Sequence, residues 1–328
     1  MKHPDGIRLL QDLSRHCDGL VENYVPGKLD KLGLGYDRLR QGNPRLIYAS
    51  ITGYGPTGPF AHRAGYDVII EAEAGLMHIT GEPTGEPVKV GVAITDLTTG
   101  LYAQGAIMAA LYARERTSQG QKIDLSLLEC QVANLVNVGS NYLIGGQEAQ
   151  RRGTTHASIV PYQSFRTQDA YFVIGAGNDG QFVKMCKALG RHDLMEDGRY
   201  KTNASRVQHR EMLVQELSRM FEAEPTSHWI EVFKDSGLPH GPVNNMAQTF
   251  AHPQVLHREM VQTVQHPTAG EIKLTGIPVK YSLNKPEIRR PPPLLGQHNE
   301  EILRDVLGLD EKQVKRLRED GVVGSKDV

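Results

Sequence analysis

Between Pro87 and Ala113 the chain reads PVKVGVAITDLTTGLYAQGAIMAALYA, and no other stretch restricts the fold as strongly. Val88, Val90, Val92 and Ile94 form an apolar run behind Pro87, which predicts a short buried strand. From Leu97 the pattern turns helical. Leu101, Ile107, Met108 and Leu111 are interspersed with Gly100, Ala103, Gly105, Ala106, Ala109, Ala110 and Ala113, so this helix can approach a neighbour closely. Asp96 stands at the junction, where the free N–H groups of a helix N-terminus favour an anion. It has two readings: an N-cap accepting from Thr98 or Thr99, or an ionised nucleophile aimed into a cleft. The stretch by itself leaves both open.

The flanking sequence repeats the alternation of helix and strand. Ile7, Leu10 and Cys17 recur at helical spacing, and Leu20–Asn23 is a strand end broken by Pro26-Gly27. LDKLGLGYDRLRQGNP predicts a short helix, Arg45–Ile51 a strand, Gly65–Thr80 a helix, Gln121–Ser126 a strand and Leu127–Tyr142 a helix. That rhythm is α/β. Around Gly145 the chain becomes polar and glycine-containing, and a second unit follows. It holds a hairpin (Tyr162–Phe165 with Tyr171–Ile174), helices at Gly180–Leu189, Ala204–Ala223 and Ser227–Ser236, and strands at Met260–Gln265, Glu271–Thr275 and Pro278–Tyr281. PEIRRPPP is an extended linker, and Asn299–Leu317 a closing amphipathic helix. The expected division is a larger domain over 1–145, a linker and smaller α+β domain over 146–281, and a linker and helix over 282–328.

Several functions are disfavoured at this level. The 37 Lys and Arg nearly balance the 38 Asp and Glu, and aromatics are only 6%, which argues against nucleic-acid binding. No apolar run reaches membrane-spanning length. Three widely spaced cysteines, Cys17, Cys130 and Cys186, with no CxxC, predict buried reduced thiols of an intracellular protein. The histidines form no HExxH or Cys/His pattern, so no metal site is expected. G-x-S-x-G is absent, which speaks against a serine hydrolase. Gly53-Tyr-Gly55-Pro-Thr-Gly58-Pro59 matches G-x-G-x-x-G after a strand. However, Pro56 and Pro59 remove N–H groups that a pyrophosphate cradle requires, and no helix opens within it. A dinucleotide site is therefore a poor fit. Any chemistry has to rest on a carboxylate.

The segments ENYVPGKLDKLGLGYDRLRQGNPRLIYASITGYGPTGP, RAGYDVIIEAEAGLMHITG, VGVAITDLTTG and PLLGQHNEEIL resemble, in order, the class III CoA-transferase (CaiB/BaiF) family. The resemblance covers almost the whole chain. It implies a Rossmann-like larger domain, a smaller domain and an interlocked homodimer. It puts the acyl-accepting nucleophile on Asp96, and CoA contacts on Asn23, Tyr24, Val25, Lys31, Ala64, Gly65, Tyr66 and Asp67. It implies coenzyme A thioesters as substrates, with no permanently bound cofactor, metal, nucleic acid or membrane.

Racemases of the family have a histidine where Tyr66 stands. A phenol, with a solution pKa of about 10, is a poor base at neutral pH, so Tyr66 favours transfer over racemisation. RAGYD, EAEAGLM and ITDLTTG are most similar to the mitochondrial branch that exchanges CoA between dicarboxylates such as succinate and glutarate. The resemblance implies an aspartyl anhydride and an aspartyl-CoA thioester on Asp96, with Gly53, Gly55, Gly58 and the GEPTGEP loop as candidate lid and oxyanion donors. Relatives open with a further strand–helix–strand segment. Two alternatives stand beside the transferase: an acyl-CoA racemase of the same family, which Tyr66 opposes, and, given that this chain looks shortened by that segment, a non-catalytic chain that acts by pairing with an intact subunit.

Overall fold

The computed structural model describes residues 3–324. The chain divides into two compact units. One comprises the residues up to Gly81, Gly85–Arg151 and those from Pro292 on; the other is Arg152–Pro291 with Glu82–Thr84. The residues after Gly145 stay with the first unit because the His78 ring nitrogen meets the Ala149 carbonyl at 3.2 Å and Arg151 donates to the His78 carbonyl at 3.1 Å. Residues 282–291 stay with the second, where Lys285 pairs with Glu259 at 3.4 Å.

The first unit is built on a parallel sheet of β1 (Gly19–Glu22), β2 (Ile47–Thr52) and β3 (Lys122–Ser126), in the order β1-β2-β3. Glu22 aligns with Ser50, and Thr52 with Ser126. Five of the six β2 residues are buried, as expected of a central parallel strand covered on both faces. Leu29, Leu34, Leu39, Leu46 and Tyr48 form the core on one side. Gly120 is required where the chain enters β3, since a Cβ there would lie 2.1 Å from the Leu46 carbonyl oxygen. The fold is α/β, as the sequence predicts.

The connection from β2 to β3 holds the Pro87–Ala113 stretch, whose structure differs from the strand and helix expected of it. Val88–Ala93 form no strand; the helix begins at Ile94 and runs to Thr117. Among the described residues no strand pairs with the valines. The Val88 N–H goes to the Thr80 carbonyl and the Val90 N–H to the Glu71 side chain, so these two donors are met without a ladder. The helix buries only Thr95, Thr99, Ala103, Ala110 and Arg114, a narrow stripe. Near its C-terminal end Arg114 donates to Asp18 Oδ1 at 2.9 Å and to the Arg45 carbonyl at 3.2 Å, tying the helix to the start of the sheet.

Four predicted long helices are interrupted, and Ala204–Ala223 becomes Asn203–Gln208 and Arg210–Glu222, parted at His209. Gly65–Thr80 becomes Asp67–Glu73 and Leu76–Ile79, parted at Gly75, whose φ of +83° suits glycine. Leu127–Tyr142 becomes Leu127–Ala133 and Val136–Gly145, and Asn299–Leu317 becomes Asn299–Asp305 and Glu311–Glu319.

The second unit pairs β4 (Tyr162–Arg166), β5 (Tyr171–Gly175) and β6 (His240–Pro242) antiparallel in that order. They pack on an aromatic core of Phe165, Phe172, Phe182, Phe221, Trp229 and Phe233. β7 (Val261–His266) and β8 (Gly270–Thr275) form a separate hairpin, and Pro278–Tyr281 is not a strand. Cys130 and Cys186 are buried, but Cys17, just past the first helix, is exposed, contrary to the expectation for all three. Among the described residues no helix is long and apolar enough to cross a membrane, and no cluster of His, Cys, Asp or Glu has the makings of a metal site.

Candidate active site

The carboxyl ends of β1, β2 and β3 open into one cleft of about 280 Å³. Asn23–Pro26 follow β1, Gly53 follows β2 and Leu127 follows β3, and all of them line it. Ligands of parallel α/β sheets bind outside this edge. The remaining walls include Ala61, Arg63, Ala64, Gly65, Tyr66 and Asp96.

Gly53 and Gly65 explain how the glycine-rich loop closes this wall. A Cβ on Gly53 would lie 2.8 Å from Gly65 Cα, and a Cβ on Gly65 would lie 2.9 Å from Gly53 Cα. Two backbone segments touch directly, which only glycine at both positions allows. The loop between them is held by side chains. Gly55 N–H donates to Thr52 Oγ1 at 2.9 Å, and the Tyr54 hydroxyl donates to Glu73 at 3.0 Å. Arg63 pairs with the same Glu73 at 2.6 Å and stacks over the rings of Tyr54 and Phe60. At the opposite wall, Tyr24 N–H donates to Glu22 at 2.8 Å, and the Ser50 hydroxyl donates to the other Glu22 oxygen.

Asp96 occupies the first turn of the long helix and is exposed in the cleft. It is not the N-cap. The cap position is Ala93, and the carboxylate that receives the helix's free N–H groups comes from Asp67, whose Oδ1 accepts from Thr95 at 2.8 Å and from Asp96 at 3.1 Å. The hydroxyls of Thr98 and Thr99 are turned to the carbonyls of Ile94 and Thr95 instead. The Asp96 side chain therefore has no hydrogen-bond partner among the described residues. Its carboxyl is raised above the usual carboxylate range, first by desolvation and second by the negative charge of Asp67.

Seven of the nine residues expected at the site line this cleft: Asn23, Tyr24, Val25, Ala64, Gly65, Tyr66 and Asp96. Asp67 lies behind the wall as the cap just described. Lys31 is exposed at the end of the one-turn helix Lys28–Lys31 and does not line the cleft; Lys28 has its amine 4.5 Å above the Tyr24 ring. Tyr66 is 74% exposed and precedes the Asp67 helix. Arg63, the one cation lining the cleft among the described residues, was not anticipated. Its partners Tyr54 and Glu73 lie on either side of it in the chain, with no local pattern linking them.

An unpaired carboxylate at the carboxyl edge of a parallel sheet, behind a wall of touching glycines, suits covalent acyl transfer. The sequence profile of CoA-transferase family III matches residues 1–299, and the chain belongs to that family; it is a CoA-transferase. Over 323 residues it is 52% identical to the succinyl-CoA:glutarate CoA-transferase of Homo sapiens, covering 98% of this chain and 74% of that one. It is 39% identical to the succinate–glutarate CoA-transferase of Agrobacterium fabrum, over 93% of this chain and 76% of the other. Among solved structures, a CaiB/BaiF family protein from Brucella suis is similar at a TM-score of 0.84. That protein shares 39% identity, over 93% of this chain and 79% of its own.

Proposed function

We propose that this enzyme moves CoA from succinyl-CoA to a free dicarboxylic acid such as glutarate, with Asp96 as the acyl acceptor. The observation that carries the reading is the Asp96 carboxyl, exposed in the cleft and without a protein partner, while Asp67 takes over the capping that would otherwise occupy it. Asp96 attacks the thioester carbonyl; the C–S bond breaks, CoA thiolate leaves and an aspartyl anhydride forms. The thiolate then attacks the aspartyl carbonyl, the anhydride C–O bond breaks, and the donor acid departs from an aspartyl-CoA thioester. The acceptor carboxylate displaces the thiolate again, and thiolate attack on the new acyl carbonyl frees Asp96. Every step exchanges one anion for another, so no net proton transfer is required. Desolvation makes the Asp96 carboxylate more basic and so more nucleophilic, and exclusion of water protects both intermediates.

In this reading Arg63 receives the carboxylate that distinguishes a dicarboxylate, its guanidinium held in place by Glu73 and two rings. The reading also includes a homodimer. It is supported by apolar side chains left uncovered on two helices, among them Leu101, Met108 and Tyr112, and Leu143 and Ile144 at 83% and 87% exposure.

The test is trapping. Incubation with succinyl-CoA without acceptor, then hydroxylamine, should convert Asp96 to a hydroxamate found in its peptide by mass spectrometry. Asp96→Asn should lose transfer and stay folded. A group whose folded pKa is raised contributes stability that is present below its unfolded pKa and lost as pH rises through the folded one. Asp96→Asn should therefore melt at or above the wild type at neutral pH and converge with it below about pH 4. A label on another residue, or normal turnover by Asp96→Asn, would remove the nucleophile assignment.

A further inference from the structure

Glu71, on the Asp67–Glu73 helix, is 0% exposed, and no step of the transfer uses it. Its Oε2 accepts the Val90 N–H at 3.1 Å. Its Oε1 is buried with no partner among the described residues. Asp67 stands four residues earlier on the same helix, at the i,i+4 spacing that puts two side chains on one face. Asp67 Oδ1 already receives the N–H groups of Thr95 and Asp96. Two carboxylates one helical turn apart, one fully buried and the other half-buried, repel one another, and neither can donate. One proton between them removes the repulsion and turns the orphaned oxygen into a donor.

We propose that Glu71 is a protonated positioning residue that donates its proton to Asp67, so that Asp67, as a single anion, can hold the first turn of the Asp96 helix. The charge environment supports this. Burial pushes the Glu71 carboxyl up, the Val90 N–H opposes it, Asp67 adds to the rise by charge and hydrogen bond, and Lys89 acts weakly against it. The other titratable groups on the surrounding elements are engaged elsewhere or are not cations. Glu73 is bound to Arg63 and Tyr54, and Lys89 donates to the Val90 carbonyl at 3.2 Å. The Glu129 carboxylate accepts from the Ser126 hydroxyl, and Cys130 on the same helix is a buried thiol pushed up by desolvation. Asp96, in front of Asp67, adds a further negative charge. Through Val90 the same carboxyl fixes the irregular segment that leads into Ile94, so one acid anchors both the approach to the helix and the residue that caps it.

Loss of this proton places a second charge beside Asp67. Because the folded pKa of Glu71 is raised, its contribution is full below the unfolded value and disappears as pH rises through the folded one. Glu71→Gln supplies an amide donor to Asp67 and an oxygen to Val90 without titrating.

The experiment uses the full chain. Infrared spectra in D2O at pH 7 should contain a protonated-carboxyl C=O band in the wild type and in Asp96→Asn, and lack it in Glu71→Gln. In thermal melts from pH 5 to pH 9, Glu71→Gln should gain on the wild type as pH rises. In the wild type kcat should fall on the alkaline side as Glu71 loses its proton, and that fall should be absent from Glu71→Gln. Only this kinetic arm rests on the transfer reading. A protein that transfers CoA to no acid would fail that reading, while the spectrum and melts would still decide on the proton. Absence of the band in the wild type overturns the proposal, whatever the variants do. So does its loss in Asp96→Asn, or melting curves that stay parallel with Glu71→Gln below the wild type, the behaviour of an ionised Glu71 that only accepts.

Discussion

Replacing Asp67 by alanine should loosen the helix that carries Asp96 without touching Asp96 itself. The wild-type carboxylate accepts two N–H groups of that helix, at 2.8 and 3.1 Å, from a half-buried position. Deleting a capping acceptor costs typically about 1 kcal/mol, with a range of roughly 0.5–2. A carboxylate facing a helix N-terminus adds about 0.3–1 kcal/mol. Relief of the repulsion with Asp96 offsets part of that, so a net loss of about 1–2 kcal/mol is expected. For a unit of this size, each kcal/mol corresponds to roughly 2–4 °C in Tm, giving a fall of about 2–8 °C. Asp67→Asn keeps an acceptor oxygen and should lose about half as much or less. Two measurements check this: thermal unfolding followed by circular dichroism, and hydrogen exchange at the Thr95 and Asp96 amides, which should lose protection in Asp67→Ala alone. If Asp67→Ala melts with the wild type and both amides stay protected, the capping argument is wrong. If Asp67→Asn loses as much as alanine, the charge and not the acceptor is what matters.

Gly65→Ala should destabilise the fold by about 1–3 kcal/mol and impair transfer, because the new methyl meets Gly53 Cα at 2.9 Å, a backbone atom that cannot swing aside; denaturant titration and turnover measure both, and a neutral result would refute the close approach. In the native protein at pH 8, a thiol reagent should label Cys17 rapidly and leave Cys186 unmodified. Cys17 is exposed, while burial holds Cys186 out of reach and raises its pKa to about 12; a count of labelled cysteines by mass spectrometry decides it.

What the sequence determined by itself was local or was carried by resemblance. Arg45–Ile51 reads as a strand and the buried central strand Ile47–Thr52 falls on it, because β-branched and apolar residues suit a strand covered on both faces. Lys122–Ser126, at the end of the sheet, instead alternates exposed charged residues with half-buried apolar ones. The Tyr162–Ile174 hairpin follows from alternation across a turn. Family membership was legible from ordered motifs spread over the chain, and the same motifs name most of the residues that line the cleft.

Tertiary structure decided the start of the helix at Ile94 and what Asp96 is free to do. Valine alternation predicts a strand only if a neighbouring strand edge accepts it, and here the N–H groups went to Thr80 and to the side chain of Glu71. An aspartate at a helix N-terminus is normally read as its own cap. That reading failed because a carboxylate 29 residues earlier in the chain reaches the same N–H group, leaving Asp96 unpaired. The burial of Glu71 and the grip of Glu73 on Arg63 are likewise contacts between elements. Helical and strand periodicities describe how a residue relates to its near neighbours in sequence, and carry no term for a partner that arrives only when the chain folds back.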